Sequence, residues 1–276
     1  MNLKQSTIPG IGLGQMTIPQ VGLGLWQIKK EYDLRKAVLA ALQAGYRHFD
    51  TAQVYGNEAF LGDVLRESDV PRSELFITTK LANDNQSWDA VVPSFTESLK
   101  NLQTDYVDLY LVHFPVTQSR RPAWRQMEAI ARSGKAKAIG VSNYTVAHLD
   151  ELLREADIRP VVNQVELHVY LQQPELVAYC QKHGIVIEAY SPLAHGYGIK
   201  HPTLQSIGAA YDKTPAQVML RWCVQQGMVV LPKSVHPEYI QQNRDIFDFT
   251  LSEDDLGAIA DLDKDLRTCW DPTHIP

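Results

Sequence analysis

Short apolar runs rich in Val, Ile, Leu and Tyr alternate along this chain with longer amphipathic stretches. The runs have the length and β-branched content of strands, and the stretches space their apolar residues three and four apart, as helices do. Residues 21–25 are followed by 32–44, 47–50 by 58–67, 75–79 by 88–101, and 107–113 by 122–133. The alternation continues with 137–141 and 146–156, 161–165 and 174–183, then 186–190 and, after a longer segment, 215–226. Residues 228–231 lead to 237–244 and finally 252–262. A run such as Met228-Val-Val-Leu231 is apolar at every position, so both of its faces must be covered, as in a parallel sheet flanked by helices. Eight such units predict a closed (β/α)8 barrel rather than an open doubly wound sheet. No break in composition divides them, so residues 1–276 read as one domain.

The punctuation agrees. Ser252-Glu-Asp-Asp255 has the form of a capping box, and Thr214-Pro215 sets a cap residue before a proline at the first helical position. Gly45, Gly134 and Gly184 stand where helices should end. Residues 8–24 precede the first helix and fall into two similar halves, which predicts a β-hairpin running into the first barrel strand and closing the barrel's N-terminal mouth. The glycines at 10, 12, 14, 22 and 24 are spaced like part of a dinucleotide fingerprint. That motif must open a helix, whereas here a proline and a second strand follow, so close packing is the reading we adopt.

Composition narrows the class without changing it. At 45% apolar and 21% charged, the 276 residues are those of an ordinary globular protein. A net charge of −6 gives no general attraction to nucleic acid or to an anionic membrane. Cys180, Cys223 and Cys269 are too few and too scattered for a disulfide framework, and suit the cytoplasm. His168, His183, His195, His201 and His236 lack metal-ligand spacing; we expect solvated loop or helix-end histidines and no metal site.

Reacting groups in such barrels gather at the C-terminal ends of the strands. Those ends supply Asp50, followed closely by Tyr55, then Lys80 and His113. A phenol titrates near ~10, too high for ready proton donation at neutral pH. A nearby ammonium would lower it, and a carboxylate would keep that ammonium charged. Lys80 and Asp50 can fill these parts for Tyr55, while His113 can hydrogen-bond a carbonyl oxygen.

Gly45-Tyr-Arg-His-Phe-Asp50-Thr-Ala-Gln-Val-Tyr55-Gly-Asn-Glu58 closely resembles a signature of the aldo-keto reductase superfamily. Phe76-Ile-Thr-Thr-Lys80, residues 104–113, Ile139-Gly-Val-Ser-Asn143-Tyr and Leu231-Pro-Lys233-Ser-Val235 extend the resemblance, in order, over nearly the whole chain. It is most similar to the short prokaryotic branch that includes 2,5-diketo-D-gluconate reductases. The resemblance implies reduction of small aldehydes or ketones, dicarbonyls and keto sugars included, with NADPH, Tyr55 acting as the acid. It implies that Ser142, Asn143 and Gln164 bind the nicotinamide carboxamide and that Tyr190 stacks on its ring. Ser191 and Leu193 would meet the pyrophosphate, Lys233, Ser234 and Val235 the adenosine 2′-phosphate, and Asn243 the adenine. Trp26, Phe114 and Trp270 would line the substrate pocket. Tyr239 stands where many members carry a phosphate-gripping arginine, which admits NADH as a second donor and leaves Lys233 and His236 to meet the phosphate. The resemblance leans to a cytoplasmic monomer. A Schiff-base enzyme using Lys80 and a cofactor-binding sensor with little turnover are the rival readings.

Overall fold

The structure, a computed structural model, describes residues 5–9 and 15–276. The chain opens with an antiparallel pair, β1 (Gln5–Pro9) and β2 (Gln15–Pro19). The intervening glycines 10, 12 and 14 lie outside the described residues. Barrel units follow: β3 (Gly22–Gly24) with α1 (Glu31–Gln43), β4 (His48–Asp50) with α2 (Glu58–Glu67), and β5 (Phe76–Leu81) with α3 (Val91–Asn101). Next come β6 (Val107–Val112) with α4 (Arg120–Arg132), β7 (Ala136–Ser142) with α5 (Val146–Glu155), and β8 (Val162–Glu166) with α6 (Pro174–Lys182). β9 (Val186–Tyr190) is followed by α7 (Pro202–Ala210) and α8 (Pro215–Gln225), and β10 (Val229–Leu231) by α9 (Pro237–Arg244) and α10 (Glu253–Ala260).

Strands β3 to β10 form one eight-stranded parallel sheet in chain order. Its two ends meet: Val21 bridges Val230, Val230 N donates to Gln20 O at 2.9 Å, and Gly24 N donates to Pro232 O at 3.1 Å. The expected (β/α)8 barrel is the fold observed. Glycine is required at this seam. A Cβ on Gly22 would come within 2.7 Å of His48 Nδ1 and 2.8 Å of Leu231 Cδ2, and one on Gly24 within 3.0 Å of Leu231 O. The glycine-rich start of the barrel therefore serves close approach of strands, as its sequence context suggests.

Alternate residues on each strand turn inward. Below, Phe76, Leu109, Leu111, Ala138, Val161, Val162 and Val229 pack with Ile18 of the N-terminal pair, so the pair stoppers the lower end. Above them the interior turns polar, with His48, Thr78 and Glu188, and then Asp50, Lys80 and Gln164. The other faces of the strands meet the helices through one continuous apolar core.

Helix ends carry the expected signals. Gly45, Gly134 and Gly184 take φ of 89°, 77° and 69°, and full capping boxes open α8 and α10. One shifted boundary and one unforeseen helix have identifiable reasons. α4 begins at Arg120, two residues before Pro122, because a proline in the first turn lacks only an N–H that no intrahelical acceptor needs. α7 occupies the longer segment after β9, where the pattern offered no helix; its cap is a histidine, His201, whose ring accepts from Thr203 N at 3.3 Å. No helix among the described residues is long and apolar enough to cross a membrane.

Gly62, in the middle of α2, packs directly on the end of α3. A Cβ there would lie 2.4 Å from Asn101 O and under 3 Å from the Leu102 backbone. Since backbone cannot swing aside as a side chain can, Gly62→Ala should lower the unfolding free energy by about 1–3 kcal/mol, measurable as a fall in the urea midpoint.

Candidate active site

The upper mouth of the barrel opens into a cavity of about 540 Å3 whose lining includes Asp50, Tyr55 and His113. Asp50 ends β4. Tyr55 sits on a 310 turn, Gln53–Tyr55, closed by Gly56 in the left-handed conformation. That turn is held from both sides. Asn57 accepts from Thr51 Oγ1 at 2.6 Å and donates to Leu25 O and Ile28 O at 3.0 and 3.1 Å. Gln53 donates to Ser98 Oγ and Tyr110 OH and accepts from Ala82 N and Asn85 Nδ2. The phenol is therefore placed by polar side chains that reach four neighbouring segments.

Lys80, on β5, is 0% exposed. Its ammonium donates to Asp50 Oδ1 at 2.5 Å, Thr51 O at 2.9 Å and Tyr55 OH at 3.3 Å, which uses all three of its hydrogens. Burial works against its charge, but Asp50 and Tyr55 together raise its pKa above the ordinary lysine value. Because an ammonium can only donate, the Tyr55 oxygen is the acceptor in that contact. The phenolic hydrogen is left free to point at the cavity.

The phenol itself is raised, not depressed. Enclosure of the hydroxyl pushes its pKa above the ordinary value, and the Lys80 charge offsets only part of this. The expected lowering by Lys80 is present but is outweighed by desolvation. His113 follows β6, its ring 5.7 Å from that of Tyr55. Burial, with the Lys80 charge adding to it, pulls the imidazole down to about 3, so it is neutral at physiological pH and can donate one N–H.

This arrangement has close relatives. Residues 10–200 and 198–264 match the model of the aldo/keto reductase family. The chain is 44% identical over 268 residues to the glyoxal reductase of Bacillus subtilis, covering 97% of this chain and 94% of that one. It is 44% identical over 276 residues to a methylglyoxal reductase of Escherichia coli O157:H7, with 98% and 95% covered. Among solved structures, an aldo-keto reductase from a Medee basin deep-sea metagenome library superposes with a TM-score of 0.90 at 43% identity, over 94% of this chain and 96% of that one. The Bombyx mori aldo-keto reductase in complex with NADP gives 0.90 at 36% identity, over 97% and 95%. The chain belongs to the aldo/keto reductase family. It is an enzyme of that family, an oxidoreductase of carbonyl compounds.

The remaining residues singled out in the aldo/keto reductase sequence divide into two groups. Trp26, Ser142, Asn143, Gln164, Tyr190, Ser191, Leu193, Lys233 and Trp270 line the same cavity as Tyr55. Ser234, Val235 and Asn243 are not among its lining residues; the Ser234 hydroxyl is engaged in a local turn, accepting from His236 N at 3.1 Å. Phe114 stands behind Trp270, ring edge to face at 6.4 Å. Tyr239 is 52% exposed and packs edge-on against His236.

One histidine departs from expectation. His168 is not solvated: it is fully buried, with Nε2 3.3 Å from Glu166 Oε1, because the turn after β8 folds under the C-terminal tail. Glu166 had drawn no attention in the sequence, yet it fastens that tail. It accepts from Thr268 N at 2.7 Å, Thr268 Oγ1 at 2.5 Å and Cys269 N at 3.0 Å, directly before Trp270. Farther along, Arg120 donates to Pro276 O at 2.6 Å, and His148 Nε2 lies 2.9 Å from Ile275 O. Trp270 is thus slung between two anchors, its ring 5.9 Å from His113. The legible signal for Glu166 was a lone carboxylate at the end of an otherwise uncharged strand.

Replacing Glu166 by Gln puts an NH2 against donors at one of its two oxygens. The lost charged hydrogen bonds, worth about 1.5–3 kcal/mol each, should free the tail. Trypsin cleavage after Arg267 is expected to accelerate roughly 10-fold or more, with the barrel left intact.

Proposed function

We propose that the protein reduces small aldehydes or ketones to alcohols with NADPH as hydride donor and Tyr55 as proton donor. The observation that carries this reading is the allocation of the Lys80 hydrogens. All three are committed, one of them to the Tyr55 oxygen, so the phenol presents its own hydrogen to the cavity while an ammonium waits behind it. A tyrosine so held can give up its proton and leave a phenolate that inherits the Lys80 contact. Neutral His113 can donate to the same carbonyl oxygen and fix its position. The Schiff-base reading loses support, since Lys80 is fully buried and ion-paired with Asp50.

The cavity also suits a nicotinamide dinucleotide phosphate. Gln164 donates both amide hydrogens inward, to Asp50 Oδ2 at 2.9 Å and Glu188 Oε2 at 3.0 Å. Its carbonyl oxygen is left available to a carboxamide. Tyr190 OH donates to Asn143 Oδ1 at 2.8 Å, which steadies an aromatic ring in the cavity wall. Lys233 is the one Lys or Arg among the described lining residues and would meet a phosphate. When bound, the cofactor supplies the hydride to the carbonyl carbon. Trp26 and Trp270 would flank the substrate, and small dicarbonyls are the class we favour, in line with what the glyoxal and methylglyoxal reductases are named for. The free thiols of Cys180, Cys223 and Cys269 suit a cytoplasmic setting.

The primary test follows absorbance of NADPH or NADH during reduction of a carbonyl panel. Tyr55→Phe should lower turnover by about 100-fold or more while NADPH still binds, as read by fluorescence titration; full turnover in that variant would sink the tyrosine-acid reading. Lys233→Ala should raise the KM for NADPH about 10-fold or more and leave that for NADH nearly unchanged.

The pH dependence follows from the same site. Tyr55 stays protonated below its raised pKa, and His113 stays neutral above about 3. Reduction should therefore be flat between pH ~5.5 and ~7.5. A limb near ~6.5 would instead assign control to an ordinary histidine.

A further inference from the structure

Beneath the proposed proton donor lies a second carboxyl group, one layer deeper in the barrel than Asp50. Glu188 projects into the barrel from β9 and is 0% exposed. Its Oε2 accepts from Gln164 Nε2 at 3.0 Å, and the same nitrogen donates to Asp50 Oδ2 at 2.9 Å. Two carboxyl groups are thus joined through one amide nitrogen, with Lys80 the only cation beside them among the described residues. The other oxygen, Oε1, makes no hydrogen bond; it lies 3.6 Å from His48 Nε2.

We propose that Glu188 is a positioning residue for the reductase reaction, holding Gln164 from within the barrel and setting the charge behind Tyr55. With its proton on, the buried cluster of Lys80, Asp50 and Glu188 has no net charge, and Tyr55 can release its proton toward the cavity. With the proton off, the cluster is anionic and a phenolate above it is disfavoured.

The surroundings bear on when each state holds. β4 turns His48 and Asp50 toward Glu188, β5 brings Lys80 and the hydroxyl of Thr78, β8 brings the neutral Gln164, and Tyr55 lies above. On its other side β10 pairs Val229 with Glu188. Burial chiefly, then the Asp50 charge, pushes the Glu188 carboxyl up to about 8. Burial, with Lys80 adding to it, pulls His48 down to about 3, so the 3.6 Å contact is not an ion pair at neutral pH. Glu188 therefore keeps its proton at neutrality and loses it only in mildly alkaline solution.

The inference rests on the proposed proton-donor role of Tyr55, so the test has arms that do and do not depend on turnover. Glu188→Gln keeps the shape and an acceptor oxygen but cannot ionise. A carboxyl raised in the folded state contributes stability at low pH that is lost as pH rises toward the folded value. The melting temperature of the wild type, without cofactor, should therefore fall relative to Glu188→Gln between pH ~5 and ~8. Independently of turnover, an infrared carbonyl band of a protonated carboxyl should titrate away with a midpoint near 8 in the wild type and be missing from Glu188→Gln, which separates it from the other raised carboxyls, Glu58 and Asp108. In the reductase assay, the alkaline decline of kcat should begin about one pH unit later in Glu188→Gln than in the wild type. Parallel melting curves and no titrating band would overturn the buried proton. Those two signals with coincident kcat profiles would overturn the link to Tyr55. A protein showing both signals but no NADPH-dependent reduction would instead overturn the proposed function on which the link depends.

Discussion

A cation buried inside the barrel is the constraint around which the upper half of the molecule is organised. Lys80 is fully enclosed, and an ammonium removed from water costs several kcal/mol unless each of its hydrogens finds an acceptor. Three are found: a carboxylate from the end of β4, a carbonyl from the residue after it, and the oxygen of Tyr55. None of these can move without leaving a buried ammonium hydrogen without an acceptor. The loop that carries Tyr55 is consequently tied down by Asn57 and Gln53, and Asp50 is steadied on its other oxygen by Gln164. The chemistry of the phenol is a by-product of this arithmetic of donors. An ammonium that only donates makes the phenol oxygen an acceptor and turns its hydrogen outward.

The same burial explains why the site does not behave as its residue types alone suggest. A lysine beside a tyrosine reads as a device for lowering the phenol pKa, yet enclosure works in the opposite sense and prevails. In the proposed reaction, what Lys80 would offer is selective stabilisation of the phenolate once the proton has gone, which a transition state can use and a resting phenol cannot. His113 is held neutral by the same enclosure, and so can hydrogen-bond a substrate without adding a second positive charge.

Much of this was legible in the sequence because the governing signals are local. Strand periodicity, the capping box at Ser252, the cap residue and proline at Thr214-Pro215, and carboxylate, amine and imidazole at successive strand ends are all written in a few consecutive residues. What escaped depends on contacts between distant segments. Glu166 meets Thr268 from 102 residues away, and His168 is buried because of that tail, so neither shows in a local pattern. α7 was missed because histidine is an unusual cap. Glu188 was visible as a lone acid in an apolar strand, but its meaning comes only from register, which sets it beside Gln164 and one amide away from Asp50.

The cavity is built from parts of two kinds. The floor of the cavity is made of strand ends whose positions the barrel's closure fixes. Its walls are assembled from Trp26, the segment from Ser191 to Gly196, and the tail bearing Trp270. In that segment Ser191, Ala194 and His195 all adopt φ near +50°, a conformation that non-glycine residues hold only when their surroundings impose it. His195 leans on Trp26 from one side and approaches Cys269 at 3.2 Å on the other, so loop and tail brace each other across the mouth. Loop and tail therefore form one braced wall, set over strand ends from which Asp50 and the Tyr55 turn reach the cavity.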